Sequence, residues 1–191
     1  MPDPVEPEPL LDPPSSPVDR FDQAVDAAWG RVFRGHPLAD RVFYIASQVG
    51  DFSVIWLIIA AADGLRSDED ADASIRLGLL LLAESALVNQ GIKRLVRRPR
   101  PASLEEHPHH VRLPRTSSFP SGHASSALAA AGIMSHRHPK AAPLLYGLAA
   151  IVATSRVHVK VHHASDIIAG AAIGITFAKV AERVWPAPPR G

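Results

Sequence analysis

Leu77-Gly78-Leu79-Leu80-Leu81-Leu82 is a run without a polar face. A helix that lays one stripe on a soluble core keeps charged residues on its other side. This stretch has none and asks for lipid around it. It lies within one of several apolar segments. Residues 42–62 provide about the 20 residues a helix needs to cross a hydrocarbon core, and residues 75–92 are a second candidate. Residues 122–135, 141–154 and 167–185 are shorter or richer in Ala and Gly. That composition suits helices packed together in lipid, because small side chains let backbones approach closely. Gly170-x3-Gly174 is the clearest such contact.

Ahead of these, residues 21–33 carry Phe21, Val25, Ala28, Trp29, Val32 and Phe33 at helical spacing, interrupted by Asp22, Asp26 and Arg31. With Asp19 as a cap, this reads as an amphipathic helix in the membrane interface, Trp29 at headgroup level. Strand signals are nearly absent and no repeat is evident. The expected fold is all-α: an integral-membrane helical bundle of about five transmembrane helices preceded by the interfacial helix.

The length of 191 residues fits one domain, placed at residues 20–185. Residues 1–19 are acidic and proline-rich with few large apolar side chains, which predicts a disordered tail. They lack the basic start and apolar core of a signal peptide. Residues 186–191 read as a second tail. A net charge of +1 creates no global basic field, so no nucleic-acid partner is expected. The absence of cysteine excludes disulfides, thiolate catalysis and cysteine-ligated zinc. Ten histidines raise the question of metal. His107, His109 and His110 cluster and His158 and His162 lie four apart, but no acid pattern completes a site. No metal and no cofactor are expected.

Three short stretches carry the chemistry. Lys93 ends the second apolar segment, and Arg100 precedes Pro101 seven residues later. A lysine offers a point charge, and an arginine a planar fork that matches two phosphate oxygens. Pro99 and Pro101 break the helix, so Arg100 projects from its end. In Pro120-Ser121-Gly122-His123, Gly122 lets the backbone come close to a ligand at a helix start, whose unsatisfied N–H groups favour an anion. Ser121 adds a hydroxyl, and His123 stands where it can protonate a departing alkoxide. In the third stretch, Ser155-Arg156 is followed by His162, His163 and Asp166. His162 and Asp166, four apart, share one face of a helix. A carboxylate on one imidazole nitrogen leaves the other bare to attack phosphorus. His163, three from Asp166, satisfies the spacing as well. Asp51, Glu84 and Asn89 fall in or beside apolar segments, where helix-to-helix hydrogen bonding is as good a reading as function; no site is assigned to them.

In this order the residues resemble the signature of the type-2 phosphatidic acid phosphatase family, whose superfamily also holds glucose-6-phosphatase, bacterial acid phosphatases and vanadium haloperoxidases. Every specified position of that pattern is met between Lys93 and Asp166. The resemblance selects His162 over His163. It implies His162 as nucleophile, Asp166 as its orienting acid and His123 as proton donor. Lys93, Arg100, Arg156, Ser121 and the Gly122 amide would hold the phosphoryl oxygens, with no metal. It further implies a membrane lipid phosphatase acting on a phosphomonoester or pyrophosphate. The substrate would be a polyprenyl-linked sugar phosphate, with phosphatidylglycerophosphate or phosphatidate as alternatives. A vanadate-dependent haloperoxidase and a non-catalytic lipid-binding or transport protein are the competing classes. With five spans, the amino terminus and all three motifs share one face, and the arginine and lysine distribution tips that face slightly towards the cytoplasm. The oligomeric state is not legible.

Overall fold

The computed structural model describes residues 16–101 and 116–187. Among these the chain is helical without a strand. The α-helices are α1 Pro17–Phe33, α2 Pro37–Val49, α3 Val54–Gly64, α4 Asp68–Ala86, α5 Lys93–Leu95, α6 Gly122–Arg137, α7 Ala142–His158 and α8 Ala164–Val184. A 3-10 turn Asp51–Ser53 joins α2 to α3, another at Pro139–Ala141 joins α6 to α7, and a π-helical turn Leu87–Ile92 links α4 to α5.

α6 is the central helix. Ala124, Ala127, Ala129, Ala130 and Ala131 are fully buried, and α4, α7 and α8 pack around it. The closest approach is to α8, at the glycine pair expected to make it. A Cβ on Gly170 would fall 2.4 Å from the Ser121 carbonyl oxygen, and one on Gly174 would fall 2.1 Å from that of Ser125. One turn further, Ala178 meets Gly132. Small residues four apart on both helices thus bring the two backbones into contact, which fixes α8 against the start of α6.

Several boundaries differ from the sequence reading. Residues 42–62 are two helices bent by 70°, with Phe52 and Ser53 at φ 53° and 60°. Just ahead of the bend Gly50 is closely packed: a Cβ there would lie 2.7 Å from His123 on α6 and 2.8 Å from Val152 on α7. α4 starts ahead of residue 75, because the Ser67 hydroxyl accepts from the Asp70 amide and the acidic first turn suits the positive helix end. It ends at Ala86, before the π-turn. α7 runs past residue 154 to His158, which puts Arg156 on a helix. α1 is capped by Ser16, not Asp19; Asp19 is the reciprocal member of a capping box. Ser16 to Asp19 are therefore a helix start, while residues 1–15 and 188–191 of the two expected tails, and His107, His109 and His110, lie outside the described residues.

By length and apolarity, α8 alone among the described residues meets the demands of a membrane span, and the bent pair Pro37–Val49 and Asp51–Gly64 meets them together.

Candidate active site

An open cavity of about 1330 Å³ lies beside the start of α6. Lys93, Arg100, Gly122, His123, Arg156 and His162 all border it, so the three motif stretches meet in one place. Ser121 and Asp166 do not border it. Both are fully buried, and they are joined by a bond from the Ser121 amide to the Asp166 carbonyl at 3.0 Å. Ser121 caps α6, its hydroxyl oxygen accepting from the Ala124 amide at 3.4 Å.

Arg156, 1% exposed, donates from Nη1 to the Ser47 hydroxyl on α2. Its Nε and Nη2 are buried and have no hydrogen-bond partner. Lys93, on the last turn before the chain leaves the helix, is buried as well. Buried cations without an anion are costly, and the cavity is where an anion would complete them.

Arg100 donates from Nη1 to the Val161 carbonyl at 2.8 Å and from Nη2 to the carbonyls of Thr116 and Ser117. Its Nη1 also lies 3.3 Å from His162 Nε2. A guanidinium has only donors, so Nε2 presents its lone pair and the ring proton sits on Nδ1. Nδ1 faces the Asp166 carboxylate at 3.6 Å. That is too long for a hydrogen bond, and Nδ1 has no other partner.

The geometry behind this pair is not the helical one suggested by its spacing. The amides of Val161 and His162 both bond to the Arg156 carbonyl, at 3.0 and 3.1 Å, and Lys160 takes φ 49°. The resulting tight turn folds His162 back beside Arg156, while α8 begins only at Ala164. Asp166 sits in the first turn of α8, held by the His163 amide at 2.9 Å. His162 borders the cavity and His163 does not. Burial drives the His162 imidazole far below its ordinary range, to about 3; Asp166 opposes the fall, and the charges of Arg156 and Arg100 add to it.

His123, in the first turn of α6, places Nε2 3.2 Å from an Asp51 carboxylate oxygen and 3.2 Å from the Ser47 carbonyl. Asp51 has no site signature in the sequence; the bend after Gly50 brings it to the cavity wall. Arg98, which nothing in the basic run Lys93–Arg100 distinguishes, donates to the Asp166 carboxylate at 2.7 Å. Glu84 accepts from the Ser125 hydroxyl across the α4–α6 contact, and Asn89 donates to Ser85 one turn back. His158 is turned away from His162: its Nδ1 accepts from Trp29 at 3.1 Å, and Nε2 meets Asp40 at 3.0 Å.

Comparison with known proteins places the chain among relatives. The family model of the PAP2 superfamily matches residues 74–188. The decaprenylphosphoryl-5-phosphoribose phosphatase of Mycolicibacterium smegmatis is 33% identical over 159 residues, covering 81% of this chain and 84% of that protein. The protein of the same name from Mycobacterium tuberculosis is 34% identical over 145 residues, covering 72% and 76%. Among solved structures, Aquifex aeolicus LpxE superposes with a TM-score of 0.66 at 26% identity, covering 85% of this chain and 95% of that one. The transmembrane PAP2-type phosphatidylglycerolphosphate phosphatase from Bacillus subtilis superposes with a TM-score of 0.64 at 20% identity, covering 87% and 85%; at that identity the likeness is one of fold. With more than half of its length matched by the family model, the chain belongs to the PAP2 superfamily and is a phosphoric monoester hydrolase.

Proposed function

We propose that this phosphatase is embedded in the membrane and removes the phosphate of a polyprenyl-linked sugar phosphate by way of a phosphohistidine on His162. The observation that carries the reading is Arg156, a fully buried guanidinium with two orphaned nitrogens on the wall of a cavity that Lys93 and Arg100 also border. The polyprenyl sugar substrate rests on the names of the mycobacterial relatives. A cavity of about 1330 Å³, far larger than a phosphoryl group, suits a substrate with a headgroup of its own.

Embedding is supported by the outer surface. Leu79 and Leu82 on α4, Leu144 on α7, and Ile168 and Val180 on α8 all point outward and are half exposed or more, as lipid-facing side chains would be. Five crossings result if α2 and α3 together make one bent span and α4, α6, α7 and α8 make the others. α6 is enclosed by its neighbours, so its Ala-rich sequence need not match lipid. α1 then lies at the interface, on the face of the membrane that holds the cavity.

In the proposed reaction, Lys93, the forks of Arg100 and Arg156, and the Gly122 amide grip the phosphoryl oxygens, where charge is stabilised in the transition state. Nε2 of His162 donates its lone pair to phosphorus. The P–O bond to the lipid breaks, and the departing oxygen takes a proton from His123. Asp166 stabilises the proton left on Nδ1. Water then attacks the phosphohistidine and loses a proton to His123, and inorganic phosphate departs with both histidines restored. Asp51 holds His123 in place, and Ser121 fixes the helix start that presents the Gly122 amide.

Phosphate release by purified protein, measured with EDTA present against a polyprenyl-linked sugar phosphate, phosphatidate and phosphatidylglycerophosphate, tests this reading. The polyprenyl sugar phosphate is expected to have the highest kcat/KM. In Arg156→Lys the fork is lost, and turnover is expected to fall by about 100-fold or more, as on removal of one oxyanion donor. Activity within threefold of wild type in Arg156→Lys would refute the role given to that residue. A preference for phosphatidate would refute the substrate assignment.

The His162 environment makes a separate prediction. With its value near 3, free His162 is neutral around pH 7 and needs no deprotonation to attack. In protein with 13C-labelled histidine side chains, the resonance lost in His162→Gln should not shift between about pH 4 and about pH 8, where an ordinary histidine titrates. A midpoint near the ordinary value would contradict the buried, neutral nucleophile.

A further inference from the structure

We infer that Asp22 and Arg98 are positioning residues for this reaction, and that α1 is thereby part of the active site. The inference rests on the assignment of His162 and Asp166 above. Arg98 lies in the extended segment after α5 and is the hinge of a chain of alternating charges. Its Nη1 donates to Oδ1 of Asp166 at 2.7 Å and to the Ser165 hydroxyl at 2.7 Å. Its Nη2 donates to Asp22 on α1 at 2.6 Å. Asp22 is only 4% exposed and also receives the Ser165 amide at 2.8 Å and the Ser165 hydroxyl at 2.7 Å.

Arg98 borders the cavity, and one reading makes it a further cation for the phosphate. The geometry favours a different role, because the charge of Arg98 is already met by the carboxylates of Asp166 and Asp22, whereas Arg100 donates to neutral carbonyls. The Asp166 carboxylate is held by two donors, Arg98 on Oδ1 and the His163 amide on Oδ2. No hydrogen bond from His162 locates it, since Nδ1 stands 3.6 Å away. Where that carboxylate sits relative to Nδ1 is therefore set by Arg98 together with the His163 amide, and Arg98 is in turn held by Asp22. Asp22 also balances the Arg98 charge: without it only the more distant Asp19 carboxylate, 3.8 Å from Nη2, remains on that side, and more of the guanidinium charge acts on Asp166 and weakens the field that Asp166 exerts on His162. Asp22 reaches no substrate, so its loss should act on the chemical step and not on binding.

The test is a double-mutant cycle in the full-length protein in detergent, read as kcat and KM with the lipid phosphate that wild type hydrolyses best. Asp22→Asn is expected to lower kcat by about tenfold or more, towards the roughly 100-fold that a misplacement of about 1 Å brings, with KM within twofold. In an Asp166→Asn background the same change is expected to cost less than threefold, because its effect passes through Asp166. Asp22→Glu, which keeps the charge, should recover most of the lost kcat. If Asp22→Asn does not yield folded protein by thermal melting, Ser165→Ala, which removes a bond to each of the two residues, carries the same cycle. Losses that multiply independently in the double variant, or a change confined to KM or to melting temperature, would overturn the inference. Wild-type protein inactive on every lipid phosphate would instead defeat the reading of the site on which it stands.

Discussion

His162→Ala is expected to lower turnover of the lipid phosphate by at least about 10⁴-fold, the scale seen when a catalytic nucleophile is removed, while lipid binding persists. The reason is geometric. Nε2 is the unprotonated nitrogen of a buried ring, beside Arg100 and presented to a cavity bordered by Lys93, Arg100 and Arg156, and among the described residues the one other imidazole bordering that cavity is His123. His123 is engaged by Asp51 and the Ser47 carbonyl and is assigned the proton. The two histidines therefore respond differently to the leaving group. With the lipid ester, His123→Ala should cost about 10²- to 10⁴-fold, the usual worth of general acid–base catalysis. With p-nitrophenyl phosphate, whose leaving group needs no proton, that loss should shrink. A base-stable, acid-labile phosphoenzyme should then accumulate, because water lacks its base in the second step. His162→Ala should form no phosphoenzyme with either substrate. Turnover within tenfold of wild type in His162→Ala, or a phosphoenzyme in that variant, would refute the covalent route.

Much of this site is legible in the chain itself. Short spacings single out Lys93, Arg100, Gly122, His123, Arg156 and His162, and these residues border one cavity. What spacing does not reveal is how they get there. His162 and Asp166 are four apart, as on a helix, yet they face each other because a tight turn on the Arg156 carbonyl precedes the start of α8. In the sequence Asp51 is a polar interruption of an apolar run. Its place beside His123 depends on a 70° bend that no proline announces and that runs through the left-handed backbone of Phe52 and Ser53. Arg98 is one of several basic residues in a row, and Asp22 reads as the polar face of an interfacial helix. Only the tertiary contact between α1 and the extended segment after α5 shows that the two residues pair. The helix pattern is legible for the same reason that its limits are not. Apolar runs announce helices, but caps at Ser16 and Ser67 and the π-turn at Leu87–Ile92 decide where they begin and end.

Gly174→Ala should be the most disruptive single methyl group in the protein. Its Cβ would fall 2.1 Å from the Ser125 carbonyl oxygen, 2.9 Å from that residue's carbonyl carbon and 3.0 Å from the Ala129 amide nitrogen. All three are backbone atoms of α6, which no rotamer change can move. α8 must therefore back away from α6. Overpacking typically costs about 1–3 kcal/mol where side chains can yield, and here the expected cost is at or above the upper end. The displacement also reaches the site, because α8 carries Asp166 and the start of α6 carries Gly122 and His123. A large drop in melting temperature in detergent should thus be accompanied by loss of kcat in whatever protein remains folded. Gly147→Ala on α7 is the control: nothing lies within 4 Å of its Cβ, and alanine is the better helix former by up to about 1 kcal/mol. That variant should melt no lower than wild type and keep its activity. If Gly174→Ala behaved like Gly147→Ala, backbone contact between α6 and α8 would not be what seats the start of α8 against the start of α6.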